Sequence, residues 1–514
     1  MSSTQPITAT QPFTIDAQWA RWTVRAVFLA LLGAALLVPQ LKNSFWTYPG
    51  VPNAWVLLPL CALFMMPLID FAHPLRLLHL DLLALLAFVP ALALWSDSSF
   101  LPLMFMYVPL VYLCVRMVIV ARPGPRGTKR TSTATPARSA LSRRWLIVGL
   151  VALAAVHVNW TLTSQENTDV GAASVSGAQK IIDGRPVYGA DQAQLKNLGY
   201  DPHYDTYGPV VYDSYAPFAA VAGAVTASHL AALFFDILTA ALLFALGRKV
   251  RGPTAGITLA YCWLAFPFTL YTGELASNDA LVAAALVGTL LAAQSPARRG
   301  ALIALAGWTK LSPLALVPLL AGHELPARGR RAALMSFSIA FALTSALVFV
   351  PVLTHSSPST FVARTLGFQL SRPYAFSIWE RLDGNAVVHT ATWIATSSRV
   401  LHGLLVAVTI GVAIALLRLP RRRDLAGLAA ASAALLIALE LCDSYYSLTY
   451  VLWFAPLVLV ALVLGRSQEM TVSDLESALS TSGPDSRTTA RSSMRTPREP
   501  GRYTPGSTVT TLPT

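Results

Sequence analysis

The sequence predicts an all-α protein that threads a membrane about thirteen times and presents one large polar loop on the non-cytoplasmic side. Three observations predict this. Of 514 residues, 54% are hydrophobic and 12% charged, where an ordinary soluble domain carries about a quarter charged residues. With a mean hydropathy of +0.55, a water-soluble fold could not hide its apolar surface. Second, apolar runs recur from Trp22 to Gly465, each about 18 to 25 residues long and able as a helix to cross a hydrocarbon core about 30 Å thick. Third, basic clusters at Arg116 to Arg144, Arg248 to Arg251, Arg298–Arg299, Arg328 to Arg331 and Arg418 to Arg423 fall in short connections between runs. The positive-inside rule places them all in the cytoplasm, with both termini, when Ala301–Leu320 is counted as two short helices. The net charge of +13 is then topology and contact with anionic lipid, and nucleic acid is not implied as a partner.

Residues 1–21 read as a polar cytoplasmic tail, since no small-residue cleavage site follows them. Four segments follow within residues 22–121, near Trp22–Val38, Trp55–Leu68, Leu77–Trp95 and Leu101–Val120, and form an accessory four-helix region whose loops offer little polar chemistry. Residues 122–144, rich in Pro, Gly, Ser, Thr and Arg, cannot bury a core and make a basic cytoplasmic linker. The membrane module spans 145–465. Its fifth span, Trp145–Leu162, leads into an outer loop over about 163–215, far longer than an ordinary connection. Within that loop Val170–Ile182 has helical spacing and ends at Asp183-Gly184-Arg185-Pro186, which suggests a short interfacial helix. A second outer stretch covers about 355–399, and residues 466–514, rich in Ser, Thr, Pro and Arg, are expected to have no fold. Cys61, Cys114, Cys262 and Cys442 lack metal or disulfide spacing and read as buried free thiols.

Several polar residues could carry chemistry. Asp169 stands at the water boundary, where a carboxylate could deprotonate a hydroxyl or, with Thr168, cap the helix that follows. Tyr204 to Pro217, YDTYGPVVYDSYAP, pairs aromatic rings with carboxylates, as a sugar site or an interfacial aromatic belt would. Ionisable residues inside apolar runs cost about 2.5 to 3.5 kcal/mol at a helix centre and tend to face a bundle interior. Asp236 in LFFDILTAALLF is the clearest case, while Glu274, Asn278 and Asp279 open a span and could equally cap it. Lys310 falls at the outer turn of a broken hairpin, with Pro313 restarting the helix; it could hold a phosphate or snorkel to the interface. Arg364, Arg372 and Arg381 are of interest because positive charge is scarce on that side, and Arg can grip phosphate with two parallel hydrogen bonds. No Gly-rich phosphate loop, metal-spaced His/Cys cluster or Gly-x-Ser-x-Gly elbow is present.

The order of these pieces resembles the GT-C superfamily of membrane glycosyltransferases, and most of all the polyprenyl-phosphate-mannose-dependent α-mannosyltransferases of glycosyltransferase family 87. The matching residues are Asp169 with Gly184, Pro186 and Tyr188; then Tyr207, Gly208, Pro209, Tyr215 and Pro217; Asp236 in a span ending GRKVRG; Asn278-Asp279-Ala280-Leu281; Lys310 before Pro313; and Arg372 through Phe376-Ser377-Ile378-Trp379. The resemblance covers Trp145 to Gly465. It implies a GT-C-like bundle in which Asp169 is the catalytic base and Lys310, Arg372 and Arg364 bind the donor phosphate. Tyr188, Tyr207, Tyr215, Asp236, Asn278, Asp279 and Trp379 would bind substrate. The implied reaction moves a hexose, mannose in that family, from a polyprenyl phosphate to a glycolipid or polysaccharide hydroxyl with inversion, at the outer face of the cell membrane. Two features depart from the pattern: Tyr374-Ala375 stands where Ser-Pro is expected, and the loop has no tight Asp-x-Asp pair. No cofactor is therefore certain, and a divalent metal is in doubt. A transporter or lipid-linked-sugar flippase is the competing expectation, with Asp236, Asp279 and Lys310 along a path; no internal repeat of hydropathy supports it.

Overall fold

The computed structural model describes residues 17–37, 54–70, 76–93, 101–123, 141–189, 195–196, 199, 203, 205–323, 329–371, 392–418, 422–443 and 445–465. One compact unit spans Met1–Glu469; a second, Met470–Thr514, lies outside the described residues. The described residues form helices and no strand. These are α1 (Ala17–Leu37), α2 (Ala54–Met65), α3 (Leu77–Leu86), α4 (Val89–Ala93), α5 (Leu101–Ala121), α6 (Arg143–Thr163), α7 (Asp169–Ile182), α8 (Pro209–Ala219), α9 (Ala224–Arg251) and α10 (Pro253–Ala265). After them come α11 (Pro267–Glu274), α12 (Asp279–Leu291), α13 (Pro296–Gly307), α14 (Val317–Ala321), α15 (Arg330–Leu353), α16 (Pro358–Val362), α17 (Phe368–Ser371), α18 (Thr392–Arg418), α19 (Leu425–Cys442) and α20 (Val451–Gly465).

Among the described residues, six stretches are helical and apolar over a length that can cross a membrane: α6, α9, α15, Val400–Arg418, α19 and Leu448–Gly465. A seventh arises if α10 and α11, bent by 53° at Phe266–Pro267, count as one broken span. Pro267 at the start of α11 cannot continue the hydrogen-bond ladder of α10, which is why the run breaks there. Further apolar helices, among them Leu77–Leu92, Phe105–Ala121, Asp279–Leu291 and Ser312–Ala321, are shorter, and these helices together are consistent with a multi-pass membrane protein. The region Ala301–Leu320 is indeed two short helical pieces, α13 and a 3₁₀ turn at Ser312–Leu316 running into α14.

Burial separates two kinds of span. In α19 and Leu448–Gly465, 83% and 89% of the apolar window is buried, whereas in α15 the share is 6%. On α15, Met335, Ile339, Leu343 and Leu347 are exposed at intervals of four, one stripe along the helix. Such a stripe is stable against lipid and costly against water. The main hydrophobic core runs from Phe28 to Leu464, so the four N-terminal segments share it with the last two helices. Where α5 meets α19, Cys114 Sγ lies 3.6 Å from Ala434 O, and Arg422 N–H donates to Ala121 O at 2.9 Å. None of the four cysteines forms a disulfide; Cys114 and Cys262 are buried and the others partly so.

Two buried polar clusters tie spans together. Asp81 on α3 accepts from Tyr112 Oη at 2.8 Å and Arg116 Nε at 2.9 Å, both on α5. Arg116 is thus an ion-pair partner as well as part of a basic cluster. Deeper, Asp236 on α9 lies 2.6 Å from His157 Nδ1 on α6 and accepts from Trp263 Nε1 on α10 at 2.7 Å. The other ring nitrogen of His157 is 2.9 Å from Leu264 O. An isolated charge could not persist there; with both partners in place the carboxylate is paired and hydrogen-bonded.

Candidate active site

A smaller core forms around α7 and α8, from Val175, Ala178, Tyr188, Tyr212, Tyr215 and Phe235, and it carries the residues singled out in the long polar loop. The predicted helix exists as α7, one residue longer at its start, and ends at Asp183 and Gly184 (φ 64°). It is more deeply packed than an interfacial helix: Gly171 through Ala178 and Lys180 are buried. Small side chains at these positions let α8 and α9 approach closely.

Asp169 is the first residue of α7, where the partial positive charge of the helix terminus favours a carboxylate. Its Oδ1 accepts the Val170 N–H at 2.9 Å. Thr168 occupies the cap position without capping; its hydroxyl turns away to donate to Leu275 O at 3.0 Å. The segment that receives it, Leu275 to Asp279, carries Ala276 in the left-handed region at φ 51°. Asn278 Nδ2 donates to Ser174 Oγ at 3.1 Å, and its buried Oδ1 has no hydrogen-bond partner among the described residues.

The next residue, Asp279, opens α12 and is fully buried. Lys310 Nζ lies 2.5 Å from its Oδ1, which also accepts from Trp453 Nε1 at 2.7 Å, while Ser277 Oγ donates to Oδ2 at 2.5 Å. Lys310 faces three rings, Tyr207 at 5.7 Å, Tyr450 at 5.3 Å and Trp453 at 5.1 Å, and the last two stack on each other at 4.0 Å. Aromatic faces attract an ammonium through their quadrupoles, so the box holds the cation in place. With 11% of its side chain still exposed, Lys310 remains reachable.

The Tyr207-Gly208-Pro209 loop reaches Lys310 by docking on the chain just before it. Gly208 N–H donates to Thr309 O and Val210 N–H to Trp308 O, each at 3.2 Å. A Cβ on residue 208 would collide with the Trp308 carbonyl, so the approach requires glycine. Pro209 then starts α8 at N1, where a missing N–H is no loss. Burial, then the charge of Asp169, with smaller effects from Tyr450, Tyr445 and Asp279, hold the Tyr207 phenol well above its ordinary pKa. Tyr207 therefore feels the charge of the candidate base and lies 5.7 Å from the candidate cation.

The rest of the loop is held by its own contacts. Tyr188 Oη donates to Tyr207 O at 2.8 Å, and its ring meets Tyr212 and Phe361 edge-on. Asp205 is buried, accepts the Gly189 N–H at 2.5 Å and lies 3.7 Å from Arg364 Nε. Burial pushes its carboxyl above the ordinary range against the Gly189 hydrogen bond and the Arg364 charge. Asp213 on α8, half-buried, is raised by burial from 3.8 to about 7.

Of the residues named from sequence, Asp169, Tyr207, Asn278, Asp279 and Lys310 come together. Tyr188 and Tyr215 sit in the small core beneath them, both buried. Arg364 is engaged with Asp205, and Asp236 is separate, its two oxygens taken by His157 and Trp263. Arg372 and Trp379 lie outside the described residues. Sequence reasoning passed over Tyr450 and Trp453, and also Thr449, which bonds to Asp279. It also passed over Glu440, buried on α19 within the field of Asp279 and Lys310. The signal was present: ELCDSYYSLTYVLW is as dense in rings and carboxylates as the loop at Tyr204. Its place between two strongly apolar runs made it look like a connection. Among the described residues no three His, Cys, Asp or Glu side chains gather as metal ligands would.

No curated protein matches the chain significantly. The family model for Glycosyltransferase family 87 matches residues 206–442. That stretch begins beside Tyr207 and takes in Asp279, Lys310 and Glu440, while Asp169 precedes it. With the all-helical bundle and the site around Lys310, the match over these residues supports a glycosyltransferase of family 87.

Proposed function

We propose that the chain transfers a hexose, mannose by family resemblance, from a polyprenyl-phosphate donor to a hydroxyl of a glycolipid or polysaccharide, at the outer face of the cell membrane and with inversion. The observation that carries this reading is that the Lys310 ammonium, paired with Asp279, faces the Tyr207, Tyr450 and Trp453 rings, with the Asp169 carboxylate near enough for its charge to act on Tyr207. Asp169 takes the proton of the acceptor hydroxyl. The acceptor oxygen attacks the anomeric carbon as the bond from that carbon to the phosphate oxygen breaks, and polyprenyl phosphate leaves with the bonding pair. Lys310 offers one hydrogen to Asp279 and has others for the leaving phosphate, since an ammonium has three donors. Arg372 and Arg364 would add to this charge.

The stacked Tyr450 and Trp453, with Tyr207 opposite, offer apolar faces for a sugar ring. Asn278 Oδ1, buried and without a hydrogen-bond partner among the described residues, would receive a sugar hydroxyl, and Asp279 would set the position of Lys310. Membrane lipids surround the spans, both termini lie in the cytoplasm, and no nucleic acid takes part.

The test is transfer of radiolabel from polyprenyl-phosphate mannose to endogenous acceptors, in membranes carrying the wild type or Asp169→Asn. Transfer by the wild type alone supports both the reaction and the base. Equal transfer by both assigns Asp169 to the start of α7 and to nothing more. Absence of transfer from mannose, glucose and arabinose donors alike would remove the reading and favour transport.

A further inference from the structure

The segment Leu275–Asp279 touches both halves of the candidate site. At one end it meets α7. Leu275 O accepts from Thr168 Oγ1 at 3.0 Å, and Asn278 Nδ2 donates to Ser174 Oγ at 3.1 Å, whose hydroxyl in turn bonds Val170 O at 2.7 Å. Just before it, Glu274 O accepts from Ser164 Oγ at 3.1 Å, on the stretch that leads from α6 to α7. At its other end Asp279 carries Lys310.

The fit between the two segments is close. A Cβ on Gly171 would lie 2.8 Å from Ala276 O and 2.6 Å from Asn167 Oδ1. Ala276 itself is held at φ 51°, a conformation that costs an L-residue free energy and persists only where its surroundings fix it. None of the hydroxyl contacts is needed for helix formation in α7: the cap position makes no side-chain capping bond, and the Thr168 hydroxyl is spent on the neighbouring segment instead.

We infer that Leu275–Asp279 registers the base against the cation, with Thr168 and Ser174 as positioning residues and Gly171 as the point of closest approach. Neither hydroxyl touches the reacting atoms; both act by holding the first turn of α7, and with it Asp169, at a fixed distance from Asp279 and Lys310. The consequence is specific. Loosening either contact moves Asp169 relative to Lys310 while leaving the aromatic box, the Lys310–Asp279 pair and the Tyr207 docking intact. This inference rests on the proposed roles of Asp169 and Lys310.

The test uses the full-length chain in lipid nanodiscs with two readouts. The first is hydrogen–deuterium exchange of a peptide covering residues 168–176, compared with one covering 305–316. The second is steady-state transfer from polyprenyl-phosphate mannose. Thr168→Val and Ser174→Ala, isosteric or nearly so, should each speed exchange in the first peptide and leave the second unchanged. Each should lower kcat about tenfold, with the donor KM changed by less than about twofold, because geometry is lost and ground-state contacts are not. Thr168→Ser, which keeps the hydroxyl, should restore both readouts.

Gly171→Ala, which pushes on Ala276 O and Asn167 Oδ1 without touching either hydroxyl contact, should show the same pattern as the two hydroxyl variants. Unchanged exchange at 168–176 in Thr168→Val and Ser174→Ala overturns the inference, whatever the activity. So does a rise in donor KM at constant kcat. Should the wild type transfer no sugar, the glycosyl-transfer reading falls by itself, and the exchange data still decide whether this segment anchors α7.

Discussion

Replacing Gly208 by alanine should nearly abolish transfer while leaving the protein folded. The loop Tyr207-Gly208-Pro209 lies against Trp308–Thr309 with two backbone hydrogen bonds of 3.2 Å, and the added methyl would overlap the Trp308 carbonyl. Relieving that overlap requires the loop to move by about 1 Å, because the neighbour is backbone inside a packed core and cannot rotate aside. Each backbone hydrogen bond contributes about 1 kcal/mol net, so the docking loses roughly 2 kcal/mol. The helical core from Phe28 to Leu464 is untouched. Tyr207 leaves its place over Lys310 by the same distance, and a displacement of about 1 Å at a reacting centre can cost on the order of a hundredfold in rate. The assay is label transfer by the purified variant, with thermal unfolding in detergent as the control. A kcat within threefold of wild type would refute the reasoning, since the close approach could then not be what places Tyr207 and Lys310 together. A variant that fails to insert or fold would instead show that this contact holds the bundle.

Other outcomes follow from the same geometry. Asp236→Leu, which strands His157 in the interior, should cost about 3 to 5 kcal/mol of stability, and His157→Leu/Asp236→Leu should recover most of it; a raised donor KM with unchanged stability would instead put Asp236 in the substrate site. The Asp213 carboxyl titrates near 7 when folded and near 3.8 when exposed, so the folded state holds a proton that the unfolded state has lost between those values. Stability should fall as pH rises from about 4 to about 7 and level off above, and Asp213→Asn should raise the unfolding temperature at pH 7.5 but not at pH 4. Asp205→Ala and Arg364→Ala should each weaken protease resistance of the loop, and the double variant should add little, because the two residues share one contact. Additive losses would show that Arg364 acts elsewhere.

Much of the site was legible because its chemistry conflicts with its surroundings. Lys310 and Asp279 stood out as charges in apolar sequence, and Asp169 as a carboxylate at the edge of a span. The helix after Asp169 could be read from its small residues and its Gly-Pro stop. Tyr450 and Trp453 were not read as site residues, since aromatic side chains near a span end are common in any membrane protein. Asp236, inside an apolar run, looked at least as strong a site residue in sequence as Asp279 at the start of one. Only the structure distinguishes them, by giving one a histidine and a tryptophan and the other a lysine inside an aromatic box.

Sequence by itself determined the class of protein: composition forced a helical membrane bundle, because apolar runs of that length leave no other way to satisfy the backbone. It also determined the small residues that let α7 pack and the glycine that lets the Tyr207 loop approach. Tertiary structure alone decided which spans are buried and which are exposed, since α15 and α19 are both apolar and differ only in what surrounds them. It alone decided that residues as far apart in the chain as Tyr207, Asp279, Lys310 and Trp453 share one site. Hydropathy is a local property and fixes each helix. Which helix ends meet depends on packing between distant segments, and no local pattern carries that information.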